Sequence, residues 1–234
     1  MKEKIILAPG TNRTELIRSL ALHGQGSFGL RIYNSAYSLA EDVLLRKGII
    51  NESVVQDNTV SYLIADCIKN IPAYRNASFT DAENIASSLK TLRSLIVRDE
   101  DEQMARLVSE SAFAQKNKNL LDVYKLYRKK LAGRKDAVDI IRQALQQEYD
   151  IEAEFIVLNQ FPLLPLEKAL LEKMSNNNVR EMNLTDLFGL ELKPYQNIQY
   201  IKAYGSSNEV ENTLQYIFKN DFNLDDCIVA VLML

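Results

Sequence analysis

The sequence predicts an α/β fold in which a parallel sheet is interrupted by an inserted all-helical domain. Short apolar runs alternate with amphipathic helical stripes over residues 1–54, strand signals vanish over 55–150, and the alternation returns over 151–234. The middle stretch far exceeds the crossover of about a dozen residues that joins two parallel strands. It therefore reads as an insertion.

Residues 3–8 and 29–33 read as strands. Between them, Asn12 to about Leu22 reads as a helix with Leu16, Ile17, Leu20 and Ala21 inward, and Asn12 with Glu15 has capping-box spacing. The next helix runs over Ser38 to Leu45 and ends near Gly48. In the insertion, Val60, Leu63, Ile64, Cys67 and Ile68 form one stripe. Ala82, Ile85, Ala86, Leu89, Leu92, Leu95 and Ile96 form a second, with Thr80 and Glu83 at its start. Further helices are expected at 102–115, 119–131 and 135–148, with Gly133 separating the last two.

The α/β pattern resumes with a strand at 154–158, a helix opened by Pro165, a short strand near Val179 and a strand at 198–203. A helix follows from about Glu209 to Lys219, with Ser206 and Glu209 at capping-box spacing and Val210, Leu214, Ile217 and Phe218 on its buried face. The apolar run from Cys227 to Leu234 reads as a buried strand cut off at its end, so the chain is expected to be a piece of something longer.

At 234 residues the chain buries enough surface to need no disulfides. Cys67 and Cys227 are too far apart in sequence to suggest a disulfide framework, which points to a reducing cytoplasm, and Cys67 reads as core packing. The apolar run after Lys4 is too short for a signal peptide, and no segment approaches membrane-spanning length, so no membrane partner is expected. A net charge of −3 gives no global attraction for nucleic acid. Contact with DNA would need a local basic patch.

Two strand-to-helix turns carry what chemistry the sequence offers. Residues 4–20, KIILAPGTNRTELIRSL, and 155–172, FIVLNQFPLLPLEKALLE, are laid out like the two nucleotide-binding motifs of a P-loop NTPase-like sheet. A phosphate loop needs closely spaced glycines, a Lys for the outer phosphates and a Ser or Thr for magnesium. Here the turn has only Gly10, and with Thr14 in the hydroxyl position the Lys is replaced by Arg13 and the second glycine by Asn12. The second strand should deliver an Asp and a Glu, and it delivers Asn159 and Gln160, neutral amides that bring no charge for a cation and no general base. The residues that would hold ATP and magnesium are missing from both turns. As plain structure, the same turns are ordinary connections of an α/β protein.

These stretches resemble the N-terminal half of superfamily I helicase-like subunits of bacterial helicase-nuclease complexes, the AddB and RecC type. APGTNRTEL sits where that family has its phosphate loop, and RIYNSAYSLAEDVL looks like the strand and helix that follow. FIVLNQFPLLPLEKALLEKM is similar to its second-strand motif, and IQYIKAYGSSNEVENTLQYIFKNDFNLDDCIVAVL to the opening of the second helicase lobe. The resemblance implies a module of a DNA recombination and repair protein, partnered with a helicase or nuclease subunit or followed by a nuclease domain of the PD-(D/E)XK type. The departures at Asn12, Arg13, Asn159 and Gln160 imply a member without ATP hydrolysis that guides DNA or docks a partner.

Three other groups bear on function. Asp186 with Glu191 and Lys193 mimics the Asp and Glu-x-Lys of that nuclease, but the spacing is short and Pro194 follows, so it reads as a solvated loop. Asp99 to Glu102 reads as a solvated acidic helix start. Lys125, Arg128, Lys129, Lys130, Arg134 and Lys135 form one dense basic cluster, a candidate DNA contact, with Tyr124 and Tyr127 expected to pack inward. His23, the only histidine, reads as a helix-end residue. Two further readings stay open: an active ATP-dependent helicase in which Arg13 replaces Lys, and an α/β interaction domain unrelated to nucleic acid.

Overall fold

The computed structural model describes residues 3–23, 29–49, 54–159, 162–189 and 206–223. They belong to two units, Met1–Leu190 and Glu191–Leu234. In the first, β1 (Glu3–Leu7), β2 (Leu30–Tyr33), β3 (Ala153–Leu158) and β4 (Val179–Met182) lie in the order β2-β1-β3-β4. Every pairing is parallel, and Ile6 sits opposite Ile32 on one side and Ile156 on the other. The helices of this unit are α1 (Arg13–Leu22), α2 (Ala36–Arg46), α3 (Asp57–Ile68), α4 (Phe79–Leu95), α5 (Glu100–Ser109), α6 (Ala114–Leu131), α7 (Ala137–Leu145), α8 (Pro165–Met174) and α9 (Leu184–Phe188).

Alternation along the strands sorts the side chains into two layers. Ile5, Leu7, Phe155 and Val157 face α2, α7 and α8, where Leu39, Leu44, Ile141, Leu166 and Leu170 meet them. Ile6, Ala8, Ile156 and Leu158 face the other way, onto Leu16 and Leu20 of α1 and Leu187 of α9. Burial on both faces explains why β1 and β3 read as unbroken apolar runs. A separate core joins α3, α4, α5 and α6 through Ile64, Cys67, Leu89, Met104, Tyr124 and Tyr127. Both tyrosines pack inward, as their spacing predicts.

Helix α7, grouped by the sequence with the insertion, packs Val138, Ile141 and Ala144 into the core that α2 and α8 share. Its start is fixed by Asp136, which accepts from the amides of Val138 and Asp139, both at 3.0 Å, while the Asp139 carboxylate accepts from the Asp136 amide at 3.2 Å.

A buried ionic network ties α7 to the helical block. Arg93, on α4 and only 2% exposed, donates to Glu100 through Nε, to Asp136 through one terminal nitrogen and to Asp139 through the other at 2.7 Å. The Tyr127 hydroxyl also donates to Asp136, at 2.6 Å. Arg142 donates to the carbonyls of Arg93, Ile96 and Val97, closing the C-terminal end of α4. Its Nε lies 2.9 Å from Glu100 but out of line for a hydrogen bond, so that contact is Coulombic. Burial alone would raise the Asp136 carboxyl, but the Arg93 charge and the Tyr127 hydroxyl outweigh it and hold it below the usual range. Asp139 is held above it by burial and, against the pull of Arg93, by the neighbouring Asp136 charge.

Several expectations are corrected. Helix α4 starts at Ser78, not Thr80: the Ser78 hydroxyl accepts from the Asp81 amide at 3.2 Å and the Asp81 carboxylate from the Ser78 amide at 2.7 Å. Ser78 wins because it has the extended backbone that a cap requires. The helix expected at 102–115 divides, α5 ending at Ser109 and α6 starting at Ala114. Glu100 and Asp101 are not simply solvated, since Glu100 pairs with Arg93 and Asp101 accepts from the Tyr124 hydroxyl at 2.7 Å. Asp186 lies in α9 rather than in a loop, because Asn183 caps that helix by accepting the Asp186 amide at 2.7 Å. Glu191, Lys193 and Pro194 lie outside the described residues.

In the second unit, α10 (Ser206–Lys219) is the one described element. Of its expected buried face only Ile217 is buried; Val210, Leu214 and Phe218 are exposed. The side chains of Ser206 and Glu209, the strands expected at 198–203 and 227–233, and Cys227 lie outside the described residues. No helix among the described residues is long and apolar enough to cross a membrane.

Arg93→Ala leaves Asp136 without a cation, while Asp139 keeps Arg128 and Glu100 keeps Arg142, and it is expected to cost roughly 3–5 kcal/mol at pH 7 by urea unfolding. The deficit should shrink with acidification. Asp136, held low, contributes stability to the wild type that is lost as pH falls through its folded value, with Asp139 working in the opposite sense. In the variant, burial without Arg93 raises both carboxyls, so protonation stabilises it. Cys67 is fully buried and its thiol is pushed up to about 11 by burial. Mass mapping after iodoacetamide treatment should find Cys67 unmodified in the native protein and alkylated in urea.

Candidate functional site

Strand β1 connects through α1 to β2 on one side, and β3 connects through α8 to β4 on the other. Helices α1 and α8 pack on opposite faces of the sheet. The point between β1 and β3 is therefore a topological switch, where the carboxyl ends of parallel strands leave room for a ligand. Both turns that the sequence singles out stand at this edge: residues 9–12 follow β1, and Asn159 follows β3. Gln160 lies outside the described residues.

The first turn is built to begin a helix. The Ala8 amide donates to the Tyr33 carbonyl at 2.8 Å, which fixes the end of β1 beside β2. Gly10 then takes φ 67°, a left-handed conformation that favours glycine. The Asn12 side-chain oxygen accepts from the amides of Thr14 at 3.0 Å and Glu15 at 3.4 Å. Those are first-turn donors that a phosphate would need. Glu15 adds a negative charge to the same turn, and the reciprocal half of its expected capping box is absent among the described contacts. Arg13 and Thr14 are exposed. Across the edge, the Asn159 amide donates to the Met182 carbonyl at 3.0 Å and its side chain is exposed. The geometry can terminate strands and start α1; it offers an incoming anion few free donors.

The basic cluster is partly spent on the fold. Arg128 makes two hydrogen bonds of 2.8 Å to Asp139, and Lys130 pairs with Asp66. Arg134 donates to the carbonyls of Leu131 at 3.2 Å and Lys130 at 3.4 Å, and Lys135 donates to Gln143 at 2.9 Å. Lys125 and Lys129 are exposed and free of ion pairs among the described residues. His23 ends α1: its Nδ1 lies 2.8 Å from the Ser19 carbonyl and its ring lies 5.1 Å from that of Phe188. Among the described residues no group of three or more His, Cys, Asp or Glu is arranged to hold a metal ion.

The residue that sequence reasoning missed is Arg93. A signal was present, since it falls four positions after Leu89 on the buried stripe of α4, where a charge calls for partners.

No protein-family model matches this chain, and no curated protein matches it in sequence.

Asn12→Ala removes the cap of α1 and should cost about 1 kcal/mol, read as a lower urea midpoint with an unchanged slope. Asn12→Asp, which keeps the accepting oxygen, should retain most of that stability.

Proposed function

We propose that this chain is a catalytically silent helicase-like module of a DNA-processing protein, a nucleotide-binding layout that has kept its scaffold and works by docking a partner subunit or guiding DNA. The observation that carries this is the self-capped start of α1: Asn12 takes the Thr14 and Glu15 amides that a triphosphate would occupy. The neutral Asn159 at the end of β3 supports the same conclusion, since a magnesium site there requires a carboxylate. Docking is favoured over guiding DNA, because four of the six clustered cations are engaged within the protein.

Isothermal titration with ATP and magnesium tests the reading, with no saturable binding and no turnover expected. Magnesium-dependent ATP binding, or turnover abolished by Arg13→Ala, would overturn it. For DNA, a labelled single strand in low salt separates the free cations from the engaged ones. If the cluster binds, Lys125→Ala and Lys129→Ala should each flatten the salt dependence by about 0.7 in log–log slope. Arg128→Ala should lower stability instead, by removing one of the two cations that hold Asp139.

A further inference from the structure

We infer that the helical block, α3 to α6, is a hinged arm that a charged latch on α7 holds closed against the α/β layers. The apolar cores do not run together: the buried residues of α3, α4, α5 and α6 form one cluster and those of the sheet with α2, α7 and α8 another, with no residue in common. A cavity of about 190 Å³ is lined by Val60, Ile64 and Leu89 from the block and by Ala137 and Val138 from α7, so the packing between the two bodies is incomplete. Compact bodies joined by a polar seam rather than a large apolar one are expected to move as units.

The pivot is a single place. The chain passes between the two bodies ahead of α3 and again after α6. These passages touch, since the Val55 amide donates to the Lys135 carbonyl at 2.8 Å. At the second, Ala132 and Gly133 take φ 51° and 86°, so α6 is ended by two left-handed residues in succession. Loop residues beside helix ends are where a hinge absorbs its change in backbone angles.

Away from that pivot, the side-chain bonds between the block and the α/β layers gather on α7 and its cap. Arg93 reaches Asp136 and Asp139, Arg128 reaches Asp139 through two bonds of 2.8 Å, and the Tyr127 hydroxyl reaches Asp136 at 2.6 Å. In return, Arg142 holds the carbonyls at the end of α4 and lies 2.9 Å from Glu100. Buried charges lose hydration when they meet and regain it when they part, so an ionic seam reopens more readily than the same area of packed aliphatic side chains. The directional bonds of the guanidinium groups also make the closed position a defined one.

Pulsed dipolar spectroscopy tests the inference, with spin labels on cysteines at two exposed positions, Lys118→Cys on α6 and Lys168→Cys on α8, and Cys227→Ser, in the full 234-residue chain. One narrow distance is expected while the latch is intact. Asp136→Asn combined with Asp139→Asn removes the charges of the latch yet keeps side chains that cap a helix, and it should add a second, longer component. Cys67, within the block's own core, should still resist iodoacetamide in that variant, because the arm moves as a unit. Arg142→Gln, which releases the α4 carbonyls, should add the same component to a smaller extent, and it decides the matter if the double variant does not fold. The inference fails if the intact chain already shows two distances or if neither variant lengthens the distance. It fails equally if Cys67 becomes reactive whenever the distance grows, which is unfolding of the block rather than its movement.

Discussion

The Arg93 guanidinium is the contact on which the arrangement of the first unit depends. It sits out of water between carboxylates from α5, from the cap of α7 and from the first turn of α7. A lone charge there would be prohibitive, and so would Asp136 without it, since Arg128 and Arg142 reach only Asp139 and Glu100. Each side is therefore tolerable only with the other present. Because α7 also packs into the sheet layer, this single side chain couples the position of the helical block to that of the sheet. Arg142 extends the coupling by holding the carbonyls at the end of α4.

The sheet applies a different constraint. Parallel pairing places β1 beside β3 and brings both turns to one edge, the place where such sheets leave room for a ligand. Occupancy of that edge is then a matter of local chemistry. A glycine-rich turn leaves its amides pointing outward, whereas an Asn before the helix turns its own oxygen onto them. The same backbone donors cannot serve a cap and a phosphate together. In this structure Asn12 holds the Thr14 and Glu15 amides as a cap.

A similar competition governs the charged surface of α6. Its cations look alike in sequence, yet Asp66 and Asp139 approach from α3 and α7 and take Lys130 and Arg128. Lys125 and Lys129 remain turned to solvent.

Much of the fold was legible in the chain itself. The unbroken apolar runs at Ile5–Leu7 and Phe155–Leu158 reveal strands buried on both faces, and the stripes through Ile64 and Leu89 reveal the helical block, because periodicity reports which side of an element is dry. The absence of Lys, Asp and Glu from the two turns was equally plain, as residue identity needs no coordinates. Other matters rested on distance between segments remote in sequence. That α7 belongs with α2 and α8, that Arg93 gathers Glu100, Asp136 and Asp139, and that Asp66 neutralises Lys130 all follow from tertiary packing. Local sequence sets which side chains seek water and which avoid it. Only the folded chain sets which charges meet.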